Sequence, residues 1–191
     1  MTDPTLLINA LILGTVEGLT EFLPVSSTGH LILVGQLLGF NDDKGKVFEI
    51  VIQLAAILAV CWEYRRKLTD TALHITNQSK AQQFVINLLL AFLPAAILGL
   101  VFHSAIKQYL FSPITVAIAL IVGGFAILWI EQLPLATKTA DIDDMTPKQA
   151  LKVGFAQSLA LFPGVSRAGA SSLGCMLFGL DRRTATGFSF F

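Results

Sequence analysis

GTVEGLTEFLPVSSTGHLILVGQLLGF, at residues 14–40, decides the fold because the stretch returns later in the chain. Residues 154–180 read GFAQSLALFPGVSRAGASSLGCMLFGL. Aligned without gaps at an offset of 140, the two stretches are identical at nine of 27 positions. Four of the nine identities are glycine or serine, which a shared apolar bias does not explain. We therefore predict an internal duplication.

Each copy has a polar break between two apolar halves. The break covers Pro24 and residues 26–29 in the first copy, and residues 163–169 in the second. Each half has about 12–17 residues, fewer than the ~20 that a helix needs to cross a bilayer. Non-helical backbone at membrane depth is tolerated only where it is buried in protein or lines a cavity. Both copies are therefore predicted to be re-entrant helix–loop–helix hairpins.

The composition is that of a membrane protein. Hydrophobic residues make up 54% of the 191 residues and charged residues 14%, whereas soluble domains carry about 25% charge. Thirteen basic side chains balance thirteen acidic ones, so no net field attracts nucleic acid. Cys61 and Cys175 have neither metal-site nor disulfide-framework spacing. We predict an all-α polytopic membrane protein whose surroundings are the lipid bilayer, with no nucleic-acid partner.

Three further segments are apolar enough to cross a membrane as single helices. No charge occurs in the 26 residues between Lys80 and Lys107, or in the 23 between Lys107 and Glu131. We predict spans at about 84–103 and 112–131, and a third at 47–62, with soluble loops at 64–83 and 132–149.

An odd number of spans between the hairpins predicts an inverted-topology repeat, in which broken helices meet near the bilayer midplane. We treat residues 1–191 as a single membrane domain, with repeat 1 at about 5–63 and repeat 2 at about 150–191. Residues 182–191 parallel the opening of the 47–62 span, so we expect the sequence to be truncated at its C-terminus.

Loops 64–83 and 132–152 hold seven Lys and Arg residues against three on the other side. The positive-inside rule then places these loops in the cytoplasm, and the first hairpin enters from the outer side.

Glu17 and Glu21 are candidate metal ligands and catalytic residues. Four residues apart on a helix, they share one face, about 6 Å apart along the axis. A carboxylate at membrane depth costs roughly 2.5–3.5 kcal/mol, so the pair indicates a hard divalent cation, Mg²⁺ or Ca²⁺. The alternative is a pair near the interface that is solvated or protonated. The second copy has Gln157 and Leu161 at these positions, so the hairpin itself does not require the carboxylates.

Three hydroxyls, a glycine and an imidazole follow one another at Ser26, Ser27, Thr28, Gly29 and His30. At a helix N-terminus, free N–H groups and the helix dipole favour an anion, and hydroxyls add donors. Helix capping is the alternative role for the serines and the threonine. His30 is a candidate catalytic residue, as a nucleophile or as a base that activates water.

Arg167 is the only charge between Lys152 and Asp181, and an arginine in such a run needs an anionic partner. Its planar fork suits phosphate, with the Ser166 hydroxyl beside it. An internal salt bridge to Glu17 or Glu21 is the alternative. Together with the carboxylates and hydroxyls, Arg167 indicates phosphoryl chemistry on a lipid phosphate.

Two motifs carry a family resemblance. EGLTEFLPVSSTGH at 17–30 and PGVSRAG at 163–169 resemble the signature segments of the bacterial undecaprenyl-diphosphatases, the lipid phosphatases of bacitracin resistance. FEIVIQL at 48–54 and DDMT at 143–146 extend the similarity. The resemblance implies hydrolysis of undecaprenyl diphosphate to undecaprenyl phosphate and inorganic phosphate, with a divalent cation. It also implies recycling of the carrier lipid for cell-wall synthesis, in the plasma membrane. Since the charge bias of the loops makes the first hairpin enter from the outer side, we expect the site to open to the periplasmic side.

Carried over by position, the resemblance assigns residues from three motifs to the site. These are Glu17 and Glu21 from an acidic motif, Ser26, Ser27 and His30 from a serine–histidine segment, and Ser166 and Arg167 from an arginine motif. The chain departs from the family at Ala168, where a serine is frequent, and at Ser171, where a threonine is frequent. The loss of the hydroxyl at Ala168 removes one phosphate donor. A homo-oligomer is left open.

Two other functions fit part of the pattern. A transporter of a polyprenyl phosphate or of phosphate would also use inverted repeats with broken helices. Adjacent hydroxyls beside a histidine favour chemistry over transport. An acid-phosphatase-like lipid phosphatase would need an Arg-Pro element and a histidine after Arg167, and the sequence contains neither.

Overall fold

The computed structural model describes residues 4–40 and 42–191, where regular structure is helical apart from one isolated bridge between Thr139 and Leu180. The α-helices in this part of the chain are α1 (Pro4–Thr20), α2 (Ser27–Leu38), α3 (Asp43–Glu63), α4 (Arg65–His74), α5 (Ser79–Tyr109), α6 (Pro113–Glu131), α7 (Pro147–Gln157), α8 (Arg167–Leu177) and α9 (Arg182–Ser189). Short 3₁₀ helices cover Ile142–Asp144 and Ser158–Leu161. The side chain of Lys44, used in the charge count, lies outside the described part, as do residues 1–3 of the predicted domain.

The predicted helix–break–helix pattern is confirmed in both copies. The first break separates α1 from α2, and the second separates Ser158–Leu161 from α8. Equivalent serines cap the second helix of each hairpin: Ser26 Oγ accepts from the Gly29 N–H at 3.3 Å, and Ser166 Oγ accepts from the Gly169 N–H at 3.1 Å. The local chemistry of the two breaks is therefore repeated along with the sequence. Opposite membrane orientation of the hairpins stays a prediction.

Three described helices are long and apolar enough to cross a membrane, namely α3, α5 and α6. Helices α3 and α5 contain the spans predicted at 47–62 and 84–103, and α6 covers the span predicted at 112–131 from residue 113 onwards. Their outer faces expose large apolar side chains, such as Leu54, Leu100 and Phe125, as lipid-facing helices do. Helix α5 has 31 residues and is about 46 Å long, so it extends past the ~30 Å hydrocarbon core.

Both predicted loops are partly helical, which corrects the sequence interpretation. Residues 64–83 contain α4 and the start of α5, and α7 begins inside 132–149. Helix α4 was missed because it is polar and carries no apolar run of spanning length. Segment 132–149 is also held against α4 and α5. Lys67 Nζ in α4 pairs with Asp143 Oδ1 at 2.5 Å, and Asn87 Nδ2 in α5 donates to the Met145 carbonyl at 2.6 Å.

Each hairpin has its own hydrophobic core. Leu13, Leu31 and Phe40 join α1 to α2 and receive Phe48 and Ile52 of α3. The second core joins α5, α7, α8 and α9 around the buried residues Ala91, Val153, Cys175, Ala185 and Phe188. Hairpin 1 is thus held by α3 and hairpin 2 by α5, and the two breaks are left to face each other.

Candidate active site

The two breaks contact each other in a reciprocal way. A Cβ atom built on Gly29 would lie 3.2 Å from Gly164 Cα, and one built on Gly169 would lie 3.2 Å from the Pro24 carbonyl oxygen. At the offset of 140, Gly29 is equivalent to Gly169 and Pro24 to Gly164. The same contact is therefore made twice with the copies exchanged, which is what a two-fold axis between them produces.

A cavity of about 310 Å³ lies at this meeting point. Six pairs of equivalent positions line it: Thr20 and Ala160, Glu21 and Leu161, Leu23 and Pro163, Ser26 and Ser166, Ser27 and Arg167, and Thr28 and Ala168. Helix α3 adds Gln53 and Ile57, and Phe111 closes one side. Since both copies contribute matching positions, the cavity lies on the approximate two-fold axis.

The carboxylate of Glu21 binds one side chain from each copy. One of its oxygens, Oε1, accepts from Arg167 Nη2 at 3.2 Å, and the other, Oε2, accepts from Ser27 Oγ. The salt bridge raised as an alternative for Arg167 is thus present, and its partner is Glu21. The Arg167 side chain is still 58% exposed, against 21% for Glu21, so the guanidinium can also meet a ligand in the cavity.

Two helix N-termini begin at the cavity wall. Helix α2 starts at Ser27 and α8 at Arg167, and the first N–H groups of a helix have no intrahelical acceptor. Ser26 precedes α2 with φ 63° and ψ 89°, and it is the only described non-glycine residue with positive φ. Its equivalent Ser166 has an ordinary extended conformation. Strain of this kind costs on the order of 1–3 kcal/mol and clusters at functional sites.

Glu17 is placed differently from Glu21. Its side chain is 1% exposed, and both carboxylate oxygens are buried without a hydrogen-bond partner among the described residues. Glu17 lies in α1, one turn before Glu21, and does not line the cavity. The described residues form no cluster of three His, Cys, Asp or Glu side chains that could hold a metal. The unpartnered oxygens fit a hard cation that takes its other ligands from water and phosphate.

His30, unlike Glu21 and Arg167, does not line this cavity. Its Nδ1 contacts the Ser26 carbonyl oxygen at 2.8 Å, and its ring lines a second, mostly apolar cavity of about 470 Å³ next to α6 and α8. Ser26, Ser27, Thr28, Ser166 and Arg167 line the first cavity, as their grouping in the sequence predicts. The contact that sequence reasoning missed is the one between Ser27 and Glu21.

The sequence is similar to known proteins over nearly the whole chain. Residues 10–191 match the family model described as bacitracin resistance protein BacA. The chain belongs to the BacA family. It is 65% identical to the undecaprenyl-diphosphatase of Methylobacillus flagellatus, over 99% of this chain and 72% of that protein. It is 63% identical to that of Nitrosospira multiformis and 59% identical to that of Dechloromonas aromatica, each over 99% of this chain and 69% of the relative. The family recognised from the two motifs is confirmed.

The close packing of the second break against α6 leads to a stability prediction for this BacA-family chain. Gly164 has φ +97°, and a Cβ there would lie 2.6 Å from the Val116 carbonyl oxygen in α6. We expect Gly164→Ala to destabilise the protein by at least ~1–3 kcal/mol, through backbone strain and displacement of α6. The measurement is thermal unfolding in detergent, and the midpoint should fall.

Gly123→Ala is the matched control, because Gly123 lies in α6 and a methyl group added there would have nothing within 4 Å. Its unfolding midpoint should stay at or above that of the parent chain, since alanine favours a helix. Equal unfolding midpoints for the two variants would contradict the prediction, because the structure would then accommodate a methyl group at Gly164 without losing stability.

Proposed function

We propose that this BacA-family chain is a membrane-embedded undecaprenyl-diphosphatase. It hydrolyses the phosphoanhydride of undecaprenyl diphosphate to undecaprenyl phosphate and inorganic phosphate, which recycles the carrier lipid for cell-wall synthesis and confers bacitracin resistance. The observation that carries the proposal is one carboxylate, Glu21, bound by a hydroxyl from one repeat and a guanidinium from the other. A phosphatase needs this set of base, hydroxyl and anion-binding cation.

The geometry favours Ser27 as the attacking group over His30 or a free water. A hydroxyl that donates to a carboxylate is arranged as a nucleophile with its general base. Ser27 Oγ forms a bond to the terminal phosphorus, Glu21 takes the hydroxyl proton, and the anhydride P–O bond breaks. Undecaprenyl phosphate leaves with the electron pair and receives that proton. Water then attacks the phosphoserine and passes its proton through Glu21 to Ser27 Oγ, which releases inorganic phosphate.

The remaining cavity residues hold the diphosphate. Arg167, which lines the cavity and has more than half of its side-chain surface exposed, donates to the phosphoryl oxygens. The N-termini of α2 and α8 add N–H donors and favourable dipoles. Ser26, Thr28 and Ser166 add hydroxyls at the same wall. His30 contributes indirectly. Its contact with the Ser26 carbonyl oxygen stabilises Ser26 in its positive-φ conformation before α2.

A divalent cation, Mg²⁺ or Ca²⁺, would complete the proposed site, and Glu17 and Glu21 are the residues that would hold it. It would neutralise phosphate charge when bound. We expect turnover to stop in a chelator and to return with added Mg²⁺. Glu17→Gln should raise the Mg²⁺ concentration for half-maximal turnover at least about tenfold, because even the loss of an outer-shell partner costs roughly 10- to 100-fold in metal affinity.

Glu63→Gln is the control for that titration, since Glu63 is an exposed carboxylate at the end of α3. Its Mg²⁺ requirement should match that of the parent protein. An unchanged Mg²⁺ titration in Glu17→Gln would remove Glu17 from the metal site.

We place the enzyme in the bacterial plasma membrane, with the active site open to the periplasmic side. The excess of Lys and Arg in loops 64–83 and 132–152 supports this orientation. Cysteine accessibility checks it: a cysteine introduced at Ser112 should react with an impermeant thiol reagent in whole cells, and one introduced at Thr69 should react only after the cells are opened.

Phosphate release separates the enzyme from a carrier. Purified protein in detergent, with Mg²⁺, should release inorganic phosphate from undecaprenyl diphosphate over many turnovers. A transporter would bind the lipid and release none. Binding without phosphate release would therefore overturn the proposed function.

A further inference from the structure

A third cavity, of about 350 Å³, lies between the segment before α7, the first turns of α7 and the end of α8. It shares no lining residue with the candidate active site. Its walls are Lys138, Thr139, Thr146, Lys148, Gln149, Lys152 and Phe178. Every charged residue in this lining is a lysine, so the cavity favours an anion.

A network of hydrogen bonds holds the cavity walls in place. The amide of Gln149 donates from Nε2 to Thr139 Oγ1 and to the Phe178 carbonyl, each at 3.1 Å, while its Oε1 accepts from the Thr146 N–H at 3.0 Å. The Lys138 N–H donates to the Gly179 carbonyl at 2.7 Å. The three segments that line the cavity are therefore held together by hydrogen bonds.

The three lysines lack acidic partners. Lys138, Lys148 and Lys152 form no ion pair within 4 Å in the described part of the chain, whereas Lys67 and Lys80 pair with Asp143 and Asp144. Lys152 Nζ lies 5.4 Å from the centroid of the Phe178 ring, a weak cation–π contact. Three ammonium groups around one cavity repel each other, and a bound phosphate would relieve that repulsion.

The cationic cavity continues into an exposed apolar surface. Lys148, Lys152 and Phe155 are spaced by four and three residues, so they lie on one face of α7. Phe155 is 61% exposed, and Leu159, one turn further on, is 58% exposed. A face that is cationic at one end and apolar at the other matches an amphiphile with a phosphate head and acyl chains, and not a free anion.

We propose that this cavity binds the headgroup phosphate of an anionic phospholipid, whose acyl chains lie along Phe155 and Leu159. The lipid anchors the base of hairpin 2 at the membrane surface that carries the lysines. Basic pockets at the cytoplasmic ends of membrane helices bind anionic headgroups in this way, and each basic residue near the surface contributes about 1 kcal/mol. The site does not depend on the proposed hydrolysis.

The test is competition between two lipids on the purified protein. Delipidated protein is mixed with equal amounts of phosphatidylglycerol and phosphatidylcholine, and native mass spectrometry counts the lipid that stays bound. The parent chain should retain one phosphatidylglycerol in preference to phosphatidylcholine. Lys148→Gln/Lys152→Gln should lower that preference at least about tenfold. Arg65→Gln/Arg66→Gln removes the same charge outside the cavity and should leave the preference intact.

Two further measurements keep the proposal falsifiable. Phe155→Gln should weaken retention of phosphatidylglycerol while leaving every lysine in place, and a sizing column with phosphate-release turnover shows that each variant is folded. Equal retention of both lipids by the parent chain would overturn the proposal, as would an equal loss in the Arg65/Arg66 control. Displacement of phosphatidylglycerol by millimolar inorganic phosphate would also overturn it, because the cavity would then be a free-anion site.

Discussion

Arg167→Ala should lower phosphate release from undecaprenyl diphosphate by at least roughly 100- to 1000-fold, the loss typical of removing one oriented electrostatic donor. Arg167 is the cationic group of the cavity, and its guanidinium reaches Glu21 across the repeat boundary at 3.2 Å. Without it, the diphosphate loses a bidentate partner and Glu21 loses its counter-charge. The measurement is turnover on purified, monodisperse protein.

Two variants decide what the loss means. Arg167→Lys keeps the charge without the planar fork, so it should recover only a small part of the activity. Arg183→Ala removes an exposed arginine of α9 that does not line the cavity, and its turnover should equal that of the parent chain. A folded Arg167→Ala protein within tenfold of the parent would mean that the Glu21 salt bridge is structural only.

Ser27→Ala should have an effect at least as large, about 1000-fold or more, because it removes the hydroxyl that we assign as the nucleophile. The Ser27 hydroxyl donates to Glu21, so the methyl group also leaves one oxygen of that carboxylate without its donor. Turnover gives the size of the effect. Acid quenching during turnover with labelled substrate should trap phosphoserine in the parent chain and none in Ser27→Ala.

Ser172→Ala is the matched control for Ser27→Ala. Ser172 is a half-buried hydroxyl of α8 that donates to the Ala168 carbonyl within its own helix and lines none of the three cavities. Its turnover and phosphoserine level should match those of the parent chain. Phosphohistidine at His30 would contradict the serine mechanism, and a parallel quench in alkali detects it because its P–N bond does not survive acid. Substantial turnover in Ser27→Ala would also contradict that mechanism.

The helical architecture was largely predictable because it rests on patterns that do not need coordinates. Charge-free runs mark α5 and α6, and the repeat of 14–40 at 154–180 marks both hairpins. Helix α4 was not predictable in this way. It is a polar helix whose position depends on contacts with α5, and such contacts leave no periodic apolar signal in ten residues.

The grouping of the candidate site was predictable in part: Glu21, Arg167 and the hydroxyl residues line one cavity, whereas Glu17 and His30 do not. The salt bridge between Arg167 and Glu21 follows from a rare arginine that needs an anion at membrane depth. That Glu17 and His30 do not line this cavity does not follow from residue spacing. The chain leaves the helix after Thr20 and passes through a positive φ at Ser26, and residue spacing alone does not reveal this local geometry.

The approximate two-fold axis has an evolutionary consequence for the cavity it crosses. Ser27 and Arg167 occupy equivalent places, and both bind the same carboxylate from opposite copies. A symmetric homodimer of one hairpin would carry the same residue at both places, either two hydroxyls without a cation or two cations without a hydroxyl. Once the two copies are fused into one polypeptide, equivalent positions no longer have to carry the same residue. One half can then specialise in attack and the other in holding the anion, while both keep the glycine contacts that bring them together.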